Sequence, residues 1–157
     1  MIKLYFDGAC IPRNPGGVAT FGYRIVTDSA QENFHGFGVV GEGRGMTNNV
    51  AEYEGMYNGL LKVKERCIPR SVIVYGDSKL ALYMVAGWWG KRKPHKSFPH
   101  LLERLNKIKR LIVEMMKLGF MFNYEWIPRE ENEFCDELSE WAYKTYRLSK
   151  RELRKLS

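Results

Sequence analysis

Ser71-Val72-Ile73-Val74-Tyr75-Gly76-Asp77-Ser78 is the stretch that decides the fold. Its first six residues form a short apolar strand, closed by Gly76 and an acid. The strand lies between two helical stretches. Upstream, small, polar and apolar residues recur at helical spacing from Asn48 to about Arg66, with Thr47 or Asn48 placed to cap and Pro69 ending the stretch. Downstream, a helix is expected near residues 78–86. Here the chain changes from hairpin strands to strand–helix alternation.

The hairpin part comes first. Residues 2–9 read as a strand ending at Asp7-Gly8. Pro12-Arg13-Asn14-Pro15-Gly16-Gly17 is a turn cluster, and residues 18–27 and 33–40 read as two further strands. Short turns between them predict an antiparallel meander. Gly41-Glu42-Gly43-Arg44-Gly45 then forms a loop. Past residue 86, residues 87–97 are irregular and basic. Residues 98–118 predict a long amphipathic helix whose stripe is Leu101, Leu102, Leu105, Ile108, Leu111, Ile112, Met115 and Met116, closed by Gly119. A strand over 120–127, a turn at Pro128-Arg129-Glu130 and a last helix over 131–147 complete the chain, with a frayed or loosely docked tail from Leu148. The order βββ-α-β-α-α-β-α predicts an α/β fold: a mixed five-stranded sheet, three antiparallel strands then two parallel, flanked by helices. Without repeats or low-complexity tracts, residues 1–147 read as one domain and 148–157 as a basic C-terminal tail.

The 157 residues, 45% hydrophobic and 27% charged, suit one globular core. No run of about 18 apolar residues offers a membrane span, and Met1-Ile2-Lys3-Leu4-Tyr5-Phe6-Asp7 reaches an acid too soon for a signal peptide. A cytoplasmic protein is expected. Cys10, Cys67 and Cys135 are scattered and form no C-x-x-C pair, so they read as small buried residues rather than as a disulfide framework or a zinc site. A net charge of +7 favours a polyanionic partner, most commonly nucleic acid.

Four acids stand where convergence is plausible. Asp7 ends the first strand and Asp77 the fourth, and ligands of sheets with crossover connections gather at strand carboxyl ends. Glu52 falls in the first turns of the helix opening at Asn48, and Asp136 in the second turn of the last helix. Taken singly, acids near helix N-termini need no special role. Taken together, three or four converging carboxylates with positions left open suit Mg²⁺, and a pair of such ions can cut a phosphodiester.

The words around these acids carry more. Tyr5-Phe6-Asp7-Gly8-Ala9-Cys10 leads into Asn14-Pro15-Gly16-Gly17. Thr47-Asn48-Asn49-Val50-Ala51-Glu52 follows the glycine loop, and Gly76-Asp77-Ser78 closes the fourth strand. Trp126-Ile127-Pro128-Arg129-Glu130-Glu131-Asn132-Glu133-Phe134-Cys135-Asp136-Glu137-Leu138 opens the last helix. In this order and at these spacings they resemble the type 1 ribonuclease H family over about residues 2–145, closest to its short-loop archaeal-type members.

The resemblance implies a metal-dependent endoribonuclease that cuts the RNA strand of an RNA–DNA hybrid to 5′-phosphate and 3′-hydroxyl ends. It uses two Mg²⁺ ions with substrate, Mn²⁺ substituting. Asp7 would contact both ions, Asp136 would share the one that activates water, and Glu52 and Asp77 would hold the one beside the leaving 3′ oxygen. In many bacterial members a loop histidine precedes the last acid. Here the loop is shortened to Pro128-Arg129-Glu130, and Arg129 is the candidate to act through its charge. It cannot be a general base, because its pKa is above ~12.

Reading a hybrid requires sensing 2′-hydroxyls in the minor groove. Cys10, Arg13, Asn14, Asn48 and Asn49 are the candidates, with Thr47 for a DNA-strand phosphate, although one of the two asparagines is also expected to cap the helix. Trp88, Trp89, Lys91, Arg92 and Lys93 belong to the most basic loop, where cations would neutralise phosphates and a Trp could pack on deoxyribose. Lys79, beside Asp77, is a further phosphate candidate, and a monomer is expected. The competing readings are a transposase, integrase or resolvase core on the same sheet, which lacks the N-P-G-G and T-N-N words, and a non-catalytic hybrid-binding module, which would not need four intact acids. A Rossmann reading fails because Gly41, Gly43 and Gly45 do not have the G-x-G-x-x-G spacing.

Overall fold

The computed structural model describes residues 1–88 and 99–156. β1 (Ile2–Ile11), β2 (Val18–Val26) and β3 (Phe34–Glu42) form the meander. They are followed by α1 (Asn48–Arg66), β4 (Ser71–Gly76), α2 (Lys79–Ala86), α3 (Pro99–Lys117), β5 (Met121–Trp126) and α4 (Glu133–Leu156). The sheet order is β3-β2-β1-β4-β5, with β1–β2 and β2–β3 antiparallel and β1–β4 and β4–β5 parallel. This is the mixed sheet that the change of pattern at residues 71–78 predicts.

Alternation along the strands sends successive side chains to opposite faces. On β2, Phe21 and Tyr23 lie against Gly55 and Gly59 of α1, whereas Gly22 lies under Cys135 and Leu138 of α4. α1 and α4 therefore cover opposite faces. The main core joins Ile2, Leu4 and Phe6 of β1 to Met56 and Leu60 of α1, Leu82 of α2, and Leu105, Ile108 and Met115 of α3. Helix α3 differs from the expected stripe at two positions: Leu102 and Met116 are 44% and 56% exposed. Each follows a buried residue by one, and one residue turns the side chain about 100° around the helix, away from the core.

The ends of the elements follow local chemistry. The Thr47 hydroxyl accepts from the Val50 N–H and caps α1, and Ser78 does the same for α2 through Ala81. Gly87 and Gly119, at φ of 81° and 109°, provide the left-handed residues after α2 and α3. Two expectations are corrected here. β1 continues to Ile11 through its pairing with β2, so Asp7 lies inside the strand. α4 starts at Glu133 and runs to Leu156, so Asp136 falls in its first turn and the segment from Leu148 is helical, tied back to β3 by a 2.7 Å Lys150–Glu42 ion pair.

Candidate active site

Two neighbouring strands set the first pair of acids. β1 and β4 pair in parallel from Ile2↔Val72 to Tyr5↔Tyr75. Two residues further, the same register brings Asp7 level with Asp77, where β4 has ended and β1 continues beside β2. Glu52 arrives from α1. It can approach because a Cβ on Gly8 would lie 2.4 Å from both the Ala51 carbonyl carbon and the Glu52 nitrogen. Only a glycine lets the strand press this close to the helix.

One oxygen each from Asp7, Glu52 and Asp77 lie within 4.8 Å of one another. Asp7 and Glu52 are buried, and Glu52 Oε2 has no hydrogen-bond partner. Burial, with Asp77 and Asp136 adding repulsion, pushes the Asp7 carboxyl up to about 8. Burial and the charges of Asp7 and Asp77 push Glu52 well above the usual carboxylate range, and burial raises Asp77. Three acids held so close stay ionised together only when a cation sits among them. The donor set is all oxygen, which suits a hard divalent ion such as Mg²⁺, and the orphaned Glu52 oxygen marks an unfilled coordination demand. The residues present fit such an ion.

Asp136 stands outside this trio, on the helix covering the opposite face of the sheet, near enough for its charge to raise the Asp7 and Asp77 carboxyls. Its backbone N–H donates to Asn132 O at 3.1 Å, while the Asn132 side-chain amide donates to Phe6 O, one residue before Asp7, at 2.8 Å. Asn132, 2% exposed, thereby ties the start of α4 to the part of β1 that carries Asp7. It lies inside the stretch that opens the last helix, yet the sequence reading gave it no role. An Asn just before a helix passes for an ordinary cap, and only the strand contact reveals the other task. Arg129, 78% exposed, lies 3.8 Å from Asp136 and lowers the pKa of Asp77 by its charge, so its guanidinium stands beside two of the four acids.

The loop candidates gather at one edge of this site. The Asn48 side chain accepts from the Cys10 N–H at 2.8 Å, and its backbone N–H donates to Asn14 Oδ1 at 3.1 Å. Thr47 takes the cap, leaving Asn48 to link the two loops. Gly16 N–H and Cys10 Sγ–H both donate to Met46 O, drawing the Pro12–Gly17 turn against the start of α1. Arg13 and Asn14 are exposed and Asn49 is half-buried. The structure thus brings Cys10, Asn14, Thr47, Asn48 and Asn49 together.

On the other side, Trp126 donates its indole N–H to Asp77 O at 3.0 Å and carries the Lys79 ammonium 4.7 Å above its ring. Trp126 also went unassigned, since a Trp ending a strand reads as packing. Trp88 is 59% exposed and leans on Tyr83. Trp89, Lys91, Arg92 and Lys93 lie outside the described residues. No helix among the described residues is long and apolar enough to cross a membrane.

Comparison with known proteins follows the same geometry. A family model, RNase H, matches residues 1–144. The bifunctional protein Rv2228c of Mycobacterium tuberculosis is 31% identical over 96 residues, 59% of this chain and 23% of that protein. YpeP of Bacillus subtilis is 35% identical over 94 residues, 59% of this chain and 38% of that protein. The chain thus matches well under half the length of these curated relatives. Among solved structures, RNase H1 of the archaeon Halobacterium salinarum superposes with a TM-score of 0.73 at 25% identity, covering 92% of this chain and 98% of that one. LC11-RNase H1, solved in complex with an RNA/DNA hybrid, superposes with a TM-score of 0.76 at 27% identity, covering 93% and 99%.

Proposed function

We propose, since the chain belongs to the RNase H family, that it is a divalent-metal-dependent endoribonuclease hydrolysing the RNA strand of RNA–DNA hybrids to 5′-phosphate and 3′-hydroxyl ends. The observation that carries the reading is the convergence of Asp7, Glu52 and Asp77, with one buried oxygen of Glu52 left without a hydrogen-bond partner. Asp7, Glu52, Asp77 and Asp136 would hold Mg²⁺, with Mn²⁺ able to substitute. Two such ions would supply an acidified water and a sink for the charge on the phosphate and the leaving oxygen.

The protein's own groups do the rest. Asp7, buried and held within its strand beside Glu52 and Asp77, would form the centre of the site. Asp136, held through Asn132, sets the opposite wall, and the Arg129 cation beside it attracts the scissile phosphate without exchanging a proton. Asn14, Asn48 and Asn49, with the backbone from Cys10 to Arg13, present amides suited to 2′-hydroxyls, which act as donor and acceptor. Thr47 and Lys79 are assigned to strand phosphates, and Trp88, Trp89, Lys91, Arg92 and Lys93 to the DNA strand. We assign catalysis to residues 1–147 as a monomer in the cytoplasm, with residues 148–157 as a basic arm.

The test is a cleavage assay on a hybrid of defined sequence. Wild-type protein with Mg²⁺ or Mn²⁺ should release 5′-phosphorylated RNA fragments, and Asp7→Asn should lose this activity while still binding the hybrid. Equal activity of Asp7→Asn and wild type would sink the mechanism. Cutting of branched DNA with the hybrid left intact would favour a resolvase instead.

A further inference from the structure

The second half of α4 is a basic helix with one face turned towards a groove that catalysis, as described, does not use. The groove has a volume of about 760 Å³ and is lined by Tyr143, Lys144, Arg147, Lys150, Arg151 and Arg154, with Glu42 as its one carboxylate among the described residues. Glu42 is already engaged, accepting from Lys150 and from the Tyr146 hydroxyl at 2.7 Å each. The remaining cations outweigh it, so the groove presents net positive charge to any ligand.

The groove is also continuous with the loop edge of the active site. A smaller hollow shares Glu42 and Arg147 with it and extends through Pro12, Arg13, Gly16 and Gly17. That turn carries Asn14, which holds Asn48. Helical geometry gives the same direction. At 3.6 residues per turn, Asp136, Tyr143, Arg147 and Arg154 fall within roughly 40° of one another around α4. The stripe that delivers Asp136 to the carboxylates is therefore the one that carries the basic groove. At a rise of ~1.5 Å per residue, Arg147 and Arg151 lie roughly 16 Å and 22 Å along the axis from Asp136.

We propose that this groove, walled by Arg147, Arg151 and Lys144 and joined to the active site through Arg13, is a second duplex-backbone site that grips the bound hybrid several base pairs from the cut. The ligand is the phosphate backbone of the same duplex, whose identity as a hybrid rests on the reading above. At roughly 3.4 Å per base pair, the spacing corresponds to about five to seven base pairs. A patch that served only solubility need not be aligned with Asp136 or be continuous with the Arg13 turn.

The test uses the full chain carrying Asp7→Asn, so that substrate survives, and measures hybrid affinity by fluorescence anisotropy with and without R147A/R151A. On a 20-base-pair hybrid, the double variant should weaken binding about fivefold or more. The slope of log affinity against log salt should shrink by up to ~1.8, for two phosphates released. R147K/R151K should restore most of the affinity, since phosphate neutralisation needs charge alone. In otherwise wild-type protein, a short RNA block within about four base pairs of one duplex end should be cut with an unchanged KM. The same block at the opposite end or in the centre should show a raised KM. Equal affinity of R147A/R151A and its parent on the long hybrid would overturn the proposal and leave the cleavage reading standing. An equal rise in KM at all three block positions would also overturn it, as loss of general attraction. If the wild type cuts no hybrid yet the affinity loss appears, the backbone site stands and the cleavage reading falls.

Discussion

At the residue scale, the site is a set of like charges held together by structure that does not need them. Asp7 and Glu52 are buried side by side, and repulsion from Asp77 adds to the cost of ionising them. Removing one charge should therefore relieve the metal-free fold even as it removes activity. In EDTA at neutral pH, Asp7→Asn should melt higher than wild type by roughly 2–4 °C per kcal/mol of repulsion relieved. A lower melting temperature would contradict the crowding described. Asn132→Ala should cost about 1 kcal/mol in stability through its lost bond to Phe6 O. It should lower kcat about tenfold or more, since it positions Asp136, and a kcat loss no larger than that of a surface substitution would deny it this role. Asp7 and Asp77 were legible because an acid following an apolar run is conspicuous, although Asp7 proved to lie inside its strand. Glu52 and Asp136 needed the surrounding words, because an acid near a helix start is commonplace. Asn132 was not legible, since its partner is 126 residues away.

At the scale of elements, close approach is what places the groups. Gly8 lets α1 press on β1, and Gly22 does the same for α4 on β2. Gly8→Ala should cost about 1–3 kcal/mol by overpacking and, by moving Glu52, should reduce kcat further than that loss explains. Unchanged kcat in a folded Gly8→Ala protein would disprove the placement. A second contact locks the meander to the rest of the sheet. Glu32, in the turn between β2 and β3, accepts from Arg70 and from the Ile68 N–H at 2.8 Å each. The Arg70 hydrogen bond, followed by that from Ile68, holds the Glu32 carboxyl below its usual range. A depressed folded-state pKa adds stability above the unfolded value of about 4.3, and this is lost as pH falls through the folded value. Glu32→Gln should thus lower the melting temperature at pH 7 and match wild type near pH 3; a gap that persists in acid would show that charge is not its source. Helix and strand types were legible from periodicity, but ends were less so. β1 outran its expected end because pairing with β2 is a long-range effect, and α4 outran its own because its charged second half looks the same in sequence whether solvated as coil or as helix.

The molecule as a whole combines a neutral-looking core with a surface that is strongly basic. The sheet order followed from the order of patterns along the chain, because hairpins pair with their neighbours while strands separated by helices pair in parallel. The distribution of the +7 charge was not legible. Clustering of α4 cations beside the Arg13 turn depends on how a helix end folds back over β3. Binding of a hybrid should fall steadily as salt rises, with a log–log slope set by the number of phosphates neutralised. Affinity that stays flat from low to moderate salt would remove the basic surfaces, and with them the basic residues Lys91, Arg92 and Lys93, from substrate binding.

The matched register of β1 and β4 has a consequence for inheritance. Ile2 to Asp7 and Val72 to Asp77 are runs of equal length, the two strands pairing in step from Ile2↔Val72 to Tyr5↔Tyr75. Deleting one residue from either run would retract a carboxylate by about 3.3 Å and turn it to the other side of the sheet. Such a lineage would lose chemistry before it lost its fold. Descendants of this sequence can therefore accept substitutions on the strands' exposed faces and insertions at loop tips. They cannot change the count of residues in these two short runs unless both change together.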